Sequence, residues 1–243
     1  MLQSALAETT ALLVNDRSRR RAPLIRRQHE LRRMLDPGYA YTSQAGQDAV
    51  VDRLFGGKHG GTYADIGGYD GVTGSNTLFL EQWRGWTGVL VEPVPSQLAK
   101  ARAQRRCDCI GLAVAATEGT AEFVEVTDGF TQMSGLASSY DPVMLTRLRA
   151  DLRHAERNIA VQTRTLSRIL TDAGIPHPDF VSLDIEGGEV TVLAAFPFHA
   201  HRVGIWAIEN NTASGDIGMI MRAAGYDLIE FAGPDEIWRI GGL

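Results

Sequence analysis

The stretch that most constrains this chain is residues 62–71, Thr-Tyr-Ala-Asp-Ile-Gly-Gly-Tyr-Asp-Gly, continuing through Ser75, Asn76 and Thr77. A short apolar strand runs into glycines, and a helix is expected to open at Ser75 or Asn76, both good N-caps. Gly67, Gly68 and Gly71 lack a Cβ, so the backbone there can take positive φ and lie close against a ligand. Asp65 stands at the strand end, where a cationic ligand group would be met. The spacing is Asp-x-Gly-Gly-x-x-Gly, not the Gly-x-Gly-x-x-Gly of a dinucleotide turn. A diphosphate wants bare amides and a helix N-terminus without an adjacent acid, so a positively charged nucleoside suits the pattern better. Taken alone, the pattern also suits an ordinary tight strand-to-helix turn.

Residues 87–91, Thr-Gly-Val-Leu-Val, form a near-continuous apolar strand, as expected for a parallel strand covered on both faces. The strand ends in Glu92, 27 residues beyond Asp65. An acid one strand-helix-strand unit after a glycine turn is where a ribose diol is gripped, because its two oxygens accept both hydroxyl protons. Asp65, the glycines and Glu92 together point to an adenosyl-type ligand.

Upstream, residues 1–36 read as helix, with Leu24, Gln28, Leu31 and Leu35 at helical spacing, and Asp36-Pro37-Gly38 ends it. The Arg19–Arg21 run reads as a solvated turn. This basic arm, residues 1–40, packs on the domain or a second subunit, meets an anionic partner, or is a transit peptide; the first is favoured, since charge runs are usually solvated faces. Ser43 reads as a cap for a helix over residues 49–55, with Gln44 and Gln47 able to offer amides to a ligand.

Downstream, a helix is expected at 95–106, a strand at 107–114, and a hairpin ending at 121–126. A polar loop follows at 127–140, long enough for a lid, then a basic helix at 141–158 and an edge strand at 159–164. After a helix at 165–173, residues 180–189 carry a second cluster: a strand delivering Asp184 to its carboxyl end, with Glu186 and Glu189 opening the next helix. A strand at 203–208 leads to Glu209-Asn210-Asn211, a helix at 215–224 follows, and strands at 226–231 and 235–240 close the chain. Strands alternating with helices and ending in a hairpin indicate an α/β, doubly wound, mostly parallel sheet.

A chain of 243 residues suits one such domain, here 41–243. No apolar run reaches the ~20 residues of a membrane span, and no secretory leader is evident. Two cysteines, Cys107 and Cys109, read as reduced thiols of a cytoplasmic protein. Residues 16–33 hold eight arginines against two acids; the remainder carries 16 basic and 27 acidic residues, a net of −11, which argues against nucleic-acid binding. None of the six histidines shows a metal or triad spacing, and His154 is a weak candidate base.

Ser43-Gln44-x-Gly46-Gln47-Asp48, residues 65–71, Ser75-Asn76-Thr77, residues 88–93 and 183–187, in that order, resemble the FkbM family of S-adenosylmethionine-dependent methyltransferases. The resemblance covers about residues 41–240 and implies a Rossmann-like class I methyltransferase sheet of seven strands and O-methylation, often of sugar hydroxyls. It implies cofactor binding at Asp65, Gly67, Gly68, Asp70, Gly71, Ser75, Asn76 and Glu92, with Gln44 and Gln47 near the methionine end. Gly68 departs from the family pattern, where alanine or asparagine is commoner. Methyl transfer to an alcohol needs a base or a metal to lower the cost of deprotonation. Asp184, Glu186 and Glu209 are the candidate catalytic groups, Asp184 also touching cofactor, while Asp184, Glu209 and Asn210 offer oxygens to a Mg²⁺. A non-catalytic nucleoside-binding or partner-docking domain is the competing class, and a nicotinamide dehydrogenase is disfavoured by the glycine spacing. The acceptor, a small molecule or glycan, is not legible.

Overall fold

The computed structural model describes residues 1–140 and 142–242; Asp141, where the expected basic helix starts, and Leu243 lie outside the described residues. The N-terminal arm is two helices, α1 (Leu2–Asn15) and α2 (Arg21–Leu35), rather than one. The break falls at Asp16, whose Oδ1 accepts from the Ser18 N–H and hydroxyl at 2.7 and 2.6 Å. Such a turn offers the backbone an alternative to helix. In the arginine run beyond it, Arg20 is exposed as expected of a solvated turn, whereas Arg19 and Arg21 turn back onto the domain. Arg21 donates through Nε and Nη2 to both oxygens of Glu230 at 2.5 Å, and Arg19 donates to Glu236 at 2.8 Å. A guanidinium fork matches a carboxylate edge, so these pairs pin the arm to its own chain.

The chain continues through α3 (Gln47–Leu54), β1 (Thr62–Ile66), α4 (Leu78–Arg84), β2 (Thr87–Val91), α5 (Pro95–Gln104) and β3 (Asp108–Ile110). Next come β4 (Ala113–Val114), β5 (Gly119–Asp128), β6 (Gly135–Leu136), α6 (Pro142–Arg149) and β7 (Ala155–Arg164). The last part holds α7 (Leu166–Asp172), β8 (Phe180–Leu183), α8 (Glu189–Ala195), β9 (Ile205–Glu209), α9 (Asp216–Ala223), β10 (Tyr226–Ala232) and β11 (Asp235–Ile240).

Seven strands form one sheet in the order β3-β2-β1-β8-β9-β11-β10. β11 runs antiparallel to both its neighbours, and the pairs from β3 across to β9 are parallel. The sheet is therefore mixed, with the terminal hairpin supplying its antiparallel part. Alternate strand residues feed two cores, as the pleat requires. Ala64, Val181, Trp206 and Ile208 pack with Leu170, Leu193 and Met221 on one face. Tyr63, Phe180, Ile205 and Ala207 pack on the other with Val51, Leu80 and, from the arm, Leu13 and Ile25. Register aligns Ile66 with Val91 and Leu183, and Leu183 with Ile208. Gly67, Glu92, Asp184 and Glu209 consequently leave the sheet along one carboxyl edge, where ligands sit in open parallel sheets.

Residues 113–164 build a second sheet, in the order β4-β7-β5-β6, which the sequence did not indicate. The strand expected over 107–114 splits at Gly111 and Leu112: β3 stays in the main sheet and β4 joins the small one. The helix expected over 141–158 stops at Arg149, and residues from Ala155 onward pair antiparallel with β5. Arg157 reaches Glu125 at 2.8 Å and Asn158 reaches Glu122 at 2.6 Å across the strands. Such cross-strand pairs stabilise a ladder. The segment expected at 159–164 as an edge strand lies inside this sheet, between β4 and β5.

Candidate functional site

The glycine turn is shaped by what stands behind it. Gly67 has φ 82, and a Cβ there would lie 1.7 Å from the Asp184 carbonyl oxygen. Both the left-handed conformation and the close approach of two strand ends exclude a side chain. At Gly68 a Cβ would lie 2.4 Å from Leu90 Cγ, so Leu90 accounts for glycine at this position. The Gly67 and Gly68 N–H groups donate to the Val91 carbonyl at 2.9 and 3.1 Å. Asp70 sits outside the crevice, closing its own turn by accepting from Val72 N and Thr73 N at 2.9 and 2.7 Å.

Glu92 is buried, and its carboxylate accepts the Tyr69 N–H at 3.0 Å and the Val94 N–H at 2.7 Å. Burial pushes it up to about 8 against those two donors, with Asp184 and Asp65 adding repulsion. Asp65, also buried, accepts from the Thr77 hydroxyl, from Ser75 Oγ at 3.4 Å and from Arg105 Nη1 at 3.4 Å. Arg105 is wholly buried and donates as well to the Gly71 carbonyl at 3.2 Å, Tyr63 Oη at 2.8 Å and Glu81 at 3.3 Å. It thus ties the acid to the turn from behind. Nothing in the sequence marked it, because it reads as one more arginine after a helix.

Helix α4 begins at Leu78 with Thr77 at its N-cap, later than the expected start at Ser75 or Asn76, and Ser75 Oγ accepts the Leu78 N–H at 3.1 Å from two residues further back. Asn76 donates to Ser182 Oγ at 3.0 Å and Asp235 Oδ2 at 3.3 Å, while its Oδ1 is buried without a partner. Gln44 lines the crevice. Gln47 turns away: its Oε1 accepts the Ala45 N–H at 2.9 Å and its Nε2 donates to Asp235 at 3.2 Å. Asp235, from β11, is a buried acid behind the crevice that holds Gln47 and Asn76, and no motif announced its position.

At the ends of β8 and β9 the acids converge. One oxygen each of Asp184, Glu189 and Glu209 lies within 4.8 Å of the others. Burial pushes Asp184 up to about 7, opposed by its hydrogen bond with Glu209 and assisted by Glu189 and Asp65. Burial drives Glu209 and Glu186 well above the usual carboxylate range, with Asp184 the nearest added repulsion on each, and Asp235 rises to about 7 through burial and Asp184. Glu186 occupies φ 58, a conformation uncommon for a residue with a side chain. Glu189 folds back to accept from Ile185 N at 3.0 Å and Gly187 N at 3.1 Å. Asn210 does not join this group, since its amide donates to Ser214 O at 2.9 Å and Glu236 at 2.8 Å and accepts from Ser214 N at 3.1 Å. Glu189 stands where Asn210 was expected. His154 pairs with Glu156 at 2.8 Å and does not line the crevice.

Asp65, Gly67, Gly68, Glu92, Asp184, Glu186 and Glu209 bound a crevice of about 170 Å³. Leu112, Val114, Phe123 and Leu136 give it an apolar side, and residues 131–134 roof it. The Tyr69 hydroxyl meets Thr131 Oγ1 at 2.7 Å, linking turn to roof. No lysine or arginine lines it among the described residues. Such an interior favours a ligand that is itself positive, with hydroxyls to donate.

A family model described as the methyltransferase FkbM domain matches residues 65–228. Among solved structures, that of methyltransferase FkbM from Methylobacillus flagellatus KT aligns with a TM-score of 0.50 at 14% identity, over 98% of this chain and 58% of that one. The chain therefore spans somewhat over half of that protein's length. A methyltransferase from Pyrococcus furiosus aligns at 0.41 and 13% identity, over 79% of this chain and 81% of that one. A TehB-like SAM-dependent methyltransferase from Corynebacterium glutamicum aligns at 0.40 and 12% identity, over 87% and 94%. No curated protein matches by sequence.

Proposed function

The chain belongs to the methyltransferase FkbM domain family, and from that membership we propose that it transfers a methyl group from S-adenosyl-L-methionine to a hydroxyl of a sugar or another hydroxylated metabolite. The observation that carries this reading is a crevice rich in carboxyls, without a cation, at the glycine turn. Glu92, fixed by two backbone N–H groups, keeps lone pairs free for a ribose diol. Gly67 and Gly68 line the crevice and present bare backbone to a nucleoside. The unpartnered Asn76 Oδ1 and the carboxyls near it suit an ammonium, because a buried acceptor without a donor is costly. The apolar side offers a surface for an aromatic base.

When bound, the cofactor supplies a methyl on a sulfonium, an electrophile needing only an aligned nucleophile. The protein's part is to desolvate the acceptor, align its oxygen and take its proton. Glu186 and Glu209 face the crevice and have raised proton affinity, which makes them good acceptors once a bound cation has displaced their resting protons. Asp184, Glu189 and Glu209 would hold a hard divalent cation such as Mg²⁺, whose charge would lower the cost of forming an alkoxide.

Calorimetry with S-adenosylhomocysteine and with NAD, followed by transfer of labelled methyl to glycans and hydroxylated small molecules, tests the proposal. Binding of the former alone, with label entering an ether, supports it; retention of NAD and indifference to the thioether overturns it. Activity surviving exhaustive EDTA would remove the metal and leave Glu186 or Glu209 as base.

A further inference from the structure

Beyond the acids of the sheet edge lies a second cavity of about 340 Å³ that shares Glu186 and Glu209 with the first. The two spaces therefore meet at those carboxyls. Val190 of α8 and Ile217 of α9 give the second cavity an apolar flank, Glu189 joins Glu186 and Glu209 on its inner side, and Arg147 of α6 supplies its one cation among the described residues. Arg149 and Arg153 nearby are occupied, donating to Glu156 and Asp151. Arg147 is exposed and makes no ion pair with a described residue.

This distribution of charge has a direction. With the cationic methyl donor bound and Glu186 and Glu209 ionised, an anionic group would be held off from those carboxyls and drawn to the guanidinium on α6. Resting on the methyltransferase reading, we propose that this cavity is the acceptor subsite and takes a hydroxylated acceptor carrying a carboxylate or phosphate, anchored on Arg147 with its hydroxyl turned toward Glu186 and Glu209. The apolar flank accepts the C–H face of a sugar ring. In the transfer, a bond forms between acceptor oxygen and methyl carbon as the carbon–sulfur bond breaks. The electron pair returns to sulfur, leaving a neutral thioether, and the acceptor proton passes to a carboxylate oxygen of Glu186 or Glu209.

The test uses the full chain with S-adenosylmethionine and a panel of hexuronic acids, hexose phosphates and matching neutral hexoses. Methyl transfer is followed by label, and acceptor binding by calorimetry with S-adenosylhomocysteine present. At least one anionic class is expected to bind about tenfold or more tightly than its neutral counterpart, the lower end for a hydrogen bond to a charged group, and which class does so separates carboxylate from phosphate. Arg147→Ala should raise KM for that class by a similar factor with kcat little changed, and Arg147→Glu should abolish the preference; both should bind S-adenosylhomocysteine as the parent does. Equal use of neutral and anionic acceptors, no binding of either, or a preference that survives Arg147→Glu overturns the proposal. Failure of the parent protein to bind S-adenosylhomocysteine would instead overturn the methyltransferase reading.

Discussion

Replacing Arg105 by methionine keeps much of the side-chain volume and removes the charge. Asp65 and Glu81 are both buried, and Arg105 reaches each while also donating to the Gly71 carbonyl, Tyr63 Oη and Thr77 Oγ1. Breaking a buried pair by removing one partner costs roughly 3–5 kcal/mol, because a charge is left uncompensated. With urea m-values of about 1–3 kcal/mol/M, the unfolding midpoint should fall by more than about 1 M. Cofactor affinity should fall with it, since the turn loses its brace. The pH dependence carries a sign. Burial raises Glu81, but the Tyr63 hydroxyl, the Arg105 charge and the Arg106 N–H outweigh it and hold Glu81 below its ordinary value. In the parent, Glu81 therefore contributes stability that is present above its unfolded value and lost as pH falls through the lower folded one. Without Arg105, two of the contributions that lower Glu81 are gone and its proton affinity rises, so the deficit of Arg105→Met should shrink as pH falls from 8 toward the ordinary carboxylate range. A loss under about 1 kcal/mol in urea titrations, or a deficit independent of pH, would refute the reasoning.

Glu92 at about 8, and Asp184 and Asp235 at about 7, lie above unfolded carboxyls near 4. Their contribution to stability is complete below the unfolded values and lost as pH rises through 7 to 8, so the ligand-free protein should melt lower at pH 9 than at pH 6. A cationic ligand should expel protons from the same groups, tightening with pH between 6 and 8.5; calorimetry in two buffers of different ionisation enthalpy shows this as proton release, and none would count against a positive ligand. Glu92→Gln should weaken S-adenosylhomocysteine by about tenfold or more, at the cost of a charge-assisted hydrogen bond; unchanged affinity by titration would move the ribose elsewhere. Arg21→Ala leaves Glu230 buried and unpaired and should cost about 3–5 kcal/mol by urea titration, whereas a change near zero would mean that the arm does not hold that edge of the sheet.

The sheet and its carboxyl edge were legible because apolar runs, glycine turns and terminal acids each have a local chemical reason. Asp65, Glu92, Asp184 and Glu209 are far apart in sequence, yet each stands at the carboxyl end of an apolar strand, and β2, β1, β8 and β9 pair side by side in parallel to bring them together. What was not legible depended on distant partners. Arg21 and Arg105 look like any surface arginine until Glu230 and Asp65 stand beside them. Residues 155–158 are polar on both periodicities, so only pairing with Glu122 and Glu125 decides for strand. Asp235 reaches Gln47 and Asn76 because β11 inserts between β9 and β10, which no pattern within it signals.

That insertion has a consequence for biosynthesis. β9 and β10 emerge from the ribosome ahead of the strand that separates them, leaving a vacant slot with unpaired edges until residues 235–240 arrive. Only then does Asp235 come to rest against Gln47 and Asn76. The contacts that tie Gln47 and Asn76 to this edge of the sheet thus form only after both flanking strands already exist.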